Sequence, residues 1–279
     1  MIPTSTKISF PSGTQATVVT NSNVALILPK VLQYRSVAAF SVRTGGCSPK
    51  PFESLNFSVS QGDSSANVRS NFAVVAERLG IEASGIVTCR QMHEDNVEII
   101  DSFPHITPKA DAIVTAVPGI YPAVKTADCL PILLLDPVHR AAGAIHAGWR
   151  GTVLRIVRKA VRTMTTHFGT NPTDLVAALG PAIGPCCYEV DDVVLKPFRR
   201  EFPEAEQFIV RSDSGERRRE SLRLDLISAN QTELIREGVL SANIYSPNLC
   251  TSCNSKLFFS YRRDGVKSGR QIAIAGFIP

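Results

Sequence analysis

The chain predicts a mixed α/β (α+β) fold in which helices cover mixed sheets. Apolar runs of strand length come in pairs separated by turn residues, and two longer segments repeat apolar residues at the 3.6-residue period of a helix. A length of 279 residues with 44% hydrophobic content can bury a sizeable core. Strands that arrive as hairpins argue for mixed sheets rather than a purely parallel, doubly wound one. A single domain over residues 1–279 is expected, with residues 1–30 as an N-terminal extension whose role the sequence does not define.

Taken in order, residues 16–28, 36–42 and 54–59 read as strands. Residues 67–79 read as a helix, because Val68, Phe72, Val75 and Leu79 share one face and Gly80 ends it. Strands follow at 85–92, 96–100, 111–117 and 121–125. The apolar runs Leu130 to Leu135 and Ala141 to Ile145 then flank Asp136-Pro137-Val138-His139, a turn with Pro at its second position, and so make a hairpin. Residues 151–168 form a helix, apolar at Val153, Ile156, Val157, Ala160, Val161 and Met164 and capped by Gly169. A strand at 175–179, a Gly/Pro turn at 180–185 and a helix at about 225–237 come next. The last expected element is a closing hairpin around Asp264-Gly265, with 271–277 as its return strand.

The hairpin carries chemistry. With Pro137 and Val138 as its loop, Cys129 lies directly across from His146, on one face and with Cβ atoms about 5 Å apart. That separation suits a metal ~2.0 Å from nitrogen and ~2.3 Å from sulfur. A one-residue slip would part them, and Pro at the second turn position fits a type I turn better than the primed hairpin turns, so a register off by one or a bulge competes. His93, at the end of the 85–92 strand, is the best-placed third ligand. His105 in a Pro-flanked loop, His139 in the turn and His167 in a last helical turn read as surface residues. Three ligands and an open fourth position have the form of a catalytic zinc site. Copper is the weaker reading, because a blue-copper site would need Met92 and adjacent strand residues point to opposite faces. The His-x-Glu and Pro-Cys-x-x-Cys signature of the nucleobase deaminases is absent: Leu249 precedes Cys250-Thr251-Ser252-Cys253. A metal-free cysteine hydrolase with Cys129 as nucleophile and His146 as base rests on the same closeness, and a non-catalytic binding protein is the remaining class.

Bulk properties narrow the partners. No run approaches the roughly 18 apolar residues of a membrane span, and the first residues lack the basic start and apolar core of a signal peptide, so a cytoplasmic protein is expected. Seven cysteines, an odd number scattered along the chain, suit reduced thiols. A net charge of +5 is modest, and Arg217-Arg218-Arg219 between Glu216 and Glu220 reads as a solvated loop rather than a nucleic-acid patch. Gly148-Trp149-Arg150-Gly151 passes from a strand into a helix, where N–H groups and Arg150 can converge on an anion such as phosphate; a plain strand-to-helix turn is the alternative. Cys250 and Cys253, with Cys186-Cys187, suggest a second structural metal site or a redox pair. Adjacent cysteines suit one tetrahedral ion poorly, so ordinary buried thiols are expected there.

Several motifs act together. Gln91-Met92-His93, Thr126-Ala127-Asp128-Cys129-Leu130-Pro131, His146-Ala147-Gly148-Trp149-Arg150-Gly151, the run from Leu179 to Val190 and Phe259-Ser260-Tyr261-Arg262-Arg263-Asp264-Gly265 follow Thr44-Gly45-Gly46 and Ser54-Leu55-Asn56. In this order, from about residue 36 to the C-terminus, they resemble the YfiH-type family, also called the laccase-domain or polyphenol oxidase family. The resemblance implies a purine nucleoside phosphorylase of broad scope, acting on adenosine, inosine, guanosine and methylthioadenosine, with adenosine deamination as a second activity. It also implies zinc held by His93, Cys129 and His146, and a four-layer α/β/β/α arrangement related to cysteine hydrolases. Glu94 departs from the glycine that commonly follows the first histidine. Arg43, Asn56 and Arg150 are then the candidates for holding substrate or phosphate, and Glu94 or Asp128 for moving a proton. A copper-dependent phenol oxidase is disfavoured because five histidines cannot serve several copper ions. Purine nucleosides and phosphate are the expected partners, without nucleic acid or membrane.

Overall fold

Every residue of the two strands that flank the Asp136 turn is buried, as in strands covered on both faces, and the fold is arranged around them. The computed structural model describes residues 5–9, 15–21, 24–29, 35–213 and 220–279; the Arg217-Arg218-Arg219 run lies outside them. The first strands are β1 (Ser5–Ser9), β2 (Gln15–Asn21), β3 (Val24–Pro29) and β4 (Ser36–Ser41), followed by α1 (Ser65–Leu79). Next come β5 (Ile86–Thr88), β6 (Val97–Ile99), β7 (Ala112–Thr115), β8 (Tyr121–Thr126), β9 (Leu130–Asp136) and β10 (Ala141–Ala147). Helices α2 (Trp149–Val153) and α3 (Ile156–Phe168) precede β11 (Val176–Leu179), α4 (Asp192–Glu201), β12 (Ile209–Asp213) and β13 (Glu220–Leu224). The chain closes with α5 (Leu226–Arg236), β14 (Ile244–Tyr245), α6 (Tyr261–Asp264) and β15 (Gln271–Phe277).

Two mixed sheets result. The order is β1-β2-β3-β4-β15-β8-β5 in one and β14-β11-β9-β10-β7-β6 in the other, while β12 and β13 pair by themselves. Parallel pairs β5·β8 and β6·β7 sit beside antiparallel pairs β8·β15 and β7·β10, so the mixed α/β expectation holds. Between the sheets, Phe40, Val124 and Ala273 share a core with Leu133 and Ala144. Ile132, Leu134 and Ile145 point the other way, onto Ile156, Val161 and Met164 of α3 and Leu234 of α5. On the far side of the first sheet, Val75 of α1 packs with Val37, Tyr121 and Ile274. Helix α1 is fixed at both ends: Ser64 Oγ accepts from Asn67 N (3.1 Å), an N-cap worth ~1 kcal/mol, and Gly80 takes φ 66°.

Several expected elements differ. Residues 54–59 form no strand, because Asn71 Nδ2 donates to the Asn56 carbonyl (2.7 Å) and takes the place of a ladder partner. The expected strand at 85–92 stops at Thr88. The helix expected over 151–168 begins earlier, at Trp149, and is broken after Val153, where Arg155 adopts φ 62° and lays its guanidinium 3.8 Å from the centroid of Phe202. No hairpin forms at Asp264-Gly265: Ser260 Oγ accepts from Arg263 N (3.3 Å) and starts α6, and β15 pairs with β4 and β8 instead. Helix α4 was not expected, since Pro197 interrupts its pattern; Phe198 and Phe202 bury its inner face.

Candidate metal centre

The hairpin register differs from the expected one by two residues. Asp136 pairs with Ala141 and His146 with Pro131, which brings Cys129, at the entry to β9, opposite Gly148. The cause is the loop. Asp136 Oδ1 accepts from Val138 N (2.9 Å) and His139 N (3.1 Å), and Arg140 takes φ 53°, so four residues rather than two close the turn. A shift of two keeps the face, and Cys129 and His146 remain neighbours on it. His93 joins them not from a strand end but from a loop, with φ 60°. Donor atoms of His93, Cys129 and His146 all lie within 4.8 Å of one another, and the two imidazoles meet edge to face with centroids 4.8 Å apart.

Asp111, a residue the sequence reading assigned no role, organises this triad. Its fully buried carboxylate takes four donors: Oδ1 accepts from His93 N (3.0 Å) and contacts His146 Nδ1 (2.8 Å), and Oδ2 accepts from Met92 N and Glu94 N (both 2.9 Å). One carboxylate therefore holds the left-handed His93 turn and commits Nδ1 of His146, leaving Nε2 to face Cys129. Its sequence signal was an acid at the head of an apolar strand. Gln91 adds a second brace, donating to the Lys125 carbonyl (2.8 Å) and accepting from Lys125 N (2.9 Å). Gly148 leaves the space open: a Cβ there would stand 3.0 Å from Cys129 Sγ and 3.7 Å from His93 Cδ2.

Charge follows from this packing. Burial pushes the Cys129 thiol up, but the charge and hydrogen bond of His146, with His93 behind them, outweigh it and lower the thiol to about 6. Burial likewise opposes a charge on His146, yet Cys129 and Asp111 raise it to about 9. Burial also works against the Asp111 carboxylate, and the hydrogen bonds from His146 and from the Glu94 and Met92 amides hold it below the usual range. A thiolate and two imidazoles with one ring nitrogen already fixed by a carboxylate suit a divalent metal.

Asp128 does not point at the triad as a loose acid. At φ 92° its Oδ1 accepts from Thr251 Oγ1 and its Oδ2 from Arg262 N (both 2.6 Å), and its carbonyl accepts from Ile183 N (2.8 Å). Three distant segments thus meet beside Cys129. Above the triad opens a cavity of about 810 Å³, lined among others by Trp149, Tyr188, Arg90, Lys125, Arg262 and Arg270. Burial lowers the Lys125 and Arg270 pKa values, and neither these two nor Arg90 form a salt bridge among the described residues. Such cations favour an anionic ligand.

The other sequence candidates are not brought into this cavity. Arg43 donates to the Glu53 and Ser255 carbonyls (both 3.0 Å) and lies against Phe259. Asn56 is fully buried and spends its amide on the Ser58 carbonyl and Asp63 (both 2.8 Å) while accepting from Arg270 N (2.9 Å). Arg150 is exposed and stacks on Trp149, 4.9 Å from its centroid, and Glu94 is exposed outside the lining. The sequence reading assigned no site role to Lys125, Arg262 or Arg270: Lys125 and Arg270 are single basic residues in or beside strands, and Arg262 enters it only as part of the Phe259–Gly265 motif.

Comparison with known proteins agrees with this geometry. Residues 37–278 match the family model described as multi-copper polyphenol oxidoreductase laccase. The purine nucleoside phosphorylase YlmD of Geobacillus stearothermophilus is 36% identical over 86% of this chain and 90% of its own. The adenosine deaminase RL5, from an unknown prokaryotic organism, is 34% identical over 84% of this chain and 91% of its own. The crystal structure of YlmD from Geobacillus stearothermophilus superposes with a TM-score of 0.84 at 32% identity, covering 94% of this chain and 99% of that one. By sequence and by fold, the chain belongs to the YfiH-type laccase-domain family.

Proposed function

We propose that the chain is a zinc-dependent purine nucleoside phosphorylase of broad scope, acting on adenosine, inosine, guanosine and methylthioadenosine, with adenosine deamination as a second activity. The observation that carries this reading is a His-Cys-His donor set at the floor of a cavity whose walls bring several cations toward one anion. The names of the relatives, purine nucleoside phosphorylase and adenosine deaminase, support the same reaction classes. His93, Cys129 and His146 would hold the ion, which when bound supplies Lewis-acid polarisation. Lys125, Arg262, Arg270 and Arg90 hold phosphate for attack on the anomeric carbon of the ribose, so that the purine leaves. Trp149 and Tyr188 offer aromatic faces to the base. For deamination, Asp128 is the better placed of the two candidate proton carriers, since it lines the cavity and Glu94 does not. Helices on the outer faces of the two sheets support the four-layer, cysteine-hydrolase-like arrangement that the family implies.

Phosphate-dependent release of hypoxanthine from inosine, and release of ammonia from adenosine with or without phosphate, test the reading. Absence of turnover on every nucleoside named, with phosphate present and enzyme in excess, would overturn it. The thiolate and imidazolium pairing of Cys129 with His146 favours a second reading, a metal-free cysteine hydrolase. Full activity after removal of all metal would favour that one instead. A copper phenol oxidase finds little support, because the described residues offer a single histidine-containing group of metal donors.

A further inference from the structure

Outside the cavity, a second group of donors has formed. Cys186, Cys187, Cys250 and Cys253 come from two turns far apart in sequence, and their four sulfurs lie within 4.8 Å of one another. This corrects the expectation of ordinary buried thiols: Cys186 and Cys253 are exposed and only Cys250 is buried. We propose that these four thiols form a closed tetrathiolate site for a structural zinc ion.

The geometry rests on the two turns. Cys187 N and Tyr188 N both donate to the Gly184 carbonyl (2.9 Å each), which winds residues 184–188 into a tight turn. In the other turn Asn254 N and Asn254 Nδ2 both donate to the Cys250 carbonyl (3.2 and 2.8 Å). A parallel bridge between Ala182 and Cys250 ties the turns side by side, with Ala182 N donating to the Leu249 carbonyl (3.2 Å) and Thr251 N to the Ala182 carbonyl (3.0 Å). Winding the vicinal pair is what lets both of its sulfurs approach one point: Sγ of Cys253 lies 3.4 Å from that of Cys186 and 3.3 Å from that of Cys187.

Those spacings decide between the chemistries available to four thiols. A disulfide requires ~2.05 Å between sulfurs, well short of the distances here. Zinc at ~2.3 Å from each of four tetrahedral sulfurs requires edges of about 3.8 Å, inside the observed range of separations. An all-sulfur tetrahedral set selects zinc or iron over harder ions. Gly184 N donates to Cys250 Sγ (3.3 Å), the kind of amide-to-sulfur bond that stabilises a ligating thiolate, and a Cβ at Gly184 would reach within 3.4 Å of both Cys186 Sγ and Cys250 Cβ. Binding expels the thiol protons to solvent and changes no oxidation state. With four protein ligands no position remains open for substrate.

The ion would act on the first site through structure. Thr251, between two of the proposed ligands, donates to Asp128 beside Cys129, and Ile183 and Tyr188 of the other turn line the cavity. The zinc therefore joins the two turns that form one cavity wall.

Zinc analysis by native mass spectrometry tests this directly. The Cys129→Ala variant, which lacks a ligand of the first site, is expected to retain one zinc per chain, and Cys129→Ala/Cys253→Ala to retain none. Zinc absent from Cys129→Ala, or surviving the added Cys253→Ala, would overturn the proposal, as would iron or a disulfide among these four residues. Should the variants fail to fold, peptide mapping after maleimide labelling decides on the wild type as purified. Cys186, Cys187, Cys250 and Cys253 are expected to stay unlabelled until a chelator is added, and free labelling of all four before that would sink the proposal.

Discussion

The two thiol-bearing clusters differ in what surrounds the sulfur. At the first, one cysteine shares the site with two imidazoles, a buried carboxylate orients the histidine, and a cation-lined cavity opens above. At the second, four cysteines sit on two tight turns near the surface, with sulfur as every donor. Three mixed ligands leave a coordination position and a space in front of it; four thiolates leave neither. The contrast teaches that donor number and second neighbours, more than the presence of cysteine, separate a site that reacts from one that holds turns together.

Removing Cys129 gives the largest separation. Cys129→Ala should abolish nucleoside turnover, a loss of about 10³-fold or more, because it removes a group at the reacting centre. Circular dichroism should show its fold unchanged, and turnover within tenfold of wild type would place the chemistry elsewhere. Asp111→Asn comes next. It keeps the shape but removes the charge that fixes His146 Nδ1 and gathers three amides, and loss of such a partner costs about 10–100-fold in metal affinity or activity. A kcat/KM unchanged in Asp111→Asn would mean that the triad is positioned by packing alone.

The first cluster was largely legible in the sequence, and the reason is local. Cys129 and His146 sit at the ends of consecutive apolar strands, so a hairpin alone brings them together, and a register wrong by two residues still put them on one face. What the sequence concealed was closure at a distance. Asp111 reads as an acid before a strand until His93 and His146 are seen to converge on it. Lys125, Arg262 and Arg270 reach the cavity from three separate segments. At the second cluster all four cysteines could be named, but their meeting depends on turns 66 or 67 residues apart, which no spacing rule relates. The fold class was legible from hairpins and helical periods. Helix α4, carrying Pro197 within its span, was not, because its helix is held by Phe198 and Phe202 against tertiary partners rather than by propensity.

A smaller effect tests whether the cations belong to one cluster only. Lys125→Met keeps the length of the side chain in the cavity wall and removes its charge, and should raise the KM for phosphate about tenfold, the equivalent of ~1.4 kcal/mol. The KM for nucleoside should move less. Lys256→Met, an exposed lysine three residues past Cys253, should change neither. Equal phosphate KM values in the two variants would separate the cation-lined wall from phosphate binding.

The last contrast is one of reactivity, read in protein stripped of metal. Cys129 is lowered to about 6, whereas hydrogen bonding from Cys187 raises Cys253 to about 11 and burial pushes Cys186 up as well. Iodoacetamide at pH 7, followed by peptide mapping, should therefore modify Cys129 ahead of Cys186 and Cys253, although the latter two are exposed. Its labelling rate should fall as pH drops through about 6. Stability should behave differently. The depressed Cys129 contributes stability present above the ordinary thiol value of ~8.5 and lost as pH falls through about 6. The raised His146 contributes stability present below ~6.5 and lost as pH rises through about 9. These oppose one another, because the proton has moved from sulfur to imidazole and the folded and unfolded chains carry nearly the same number between pH 6 and 9. The Tm of the stripped protein should stay almost flat across that window while Cys129 remains the reactive thiol; a Tm that climbed steadily through it would show that the pair does not exchange its proton internally.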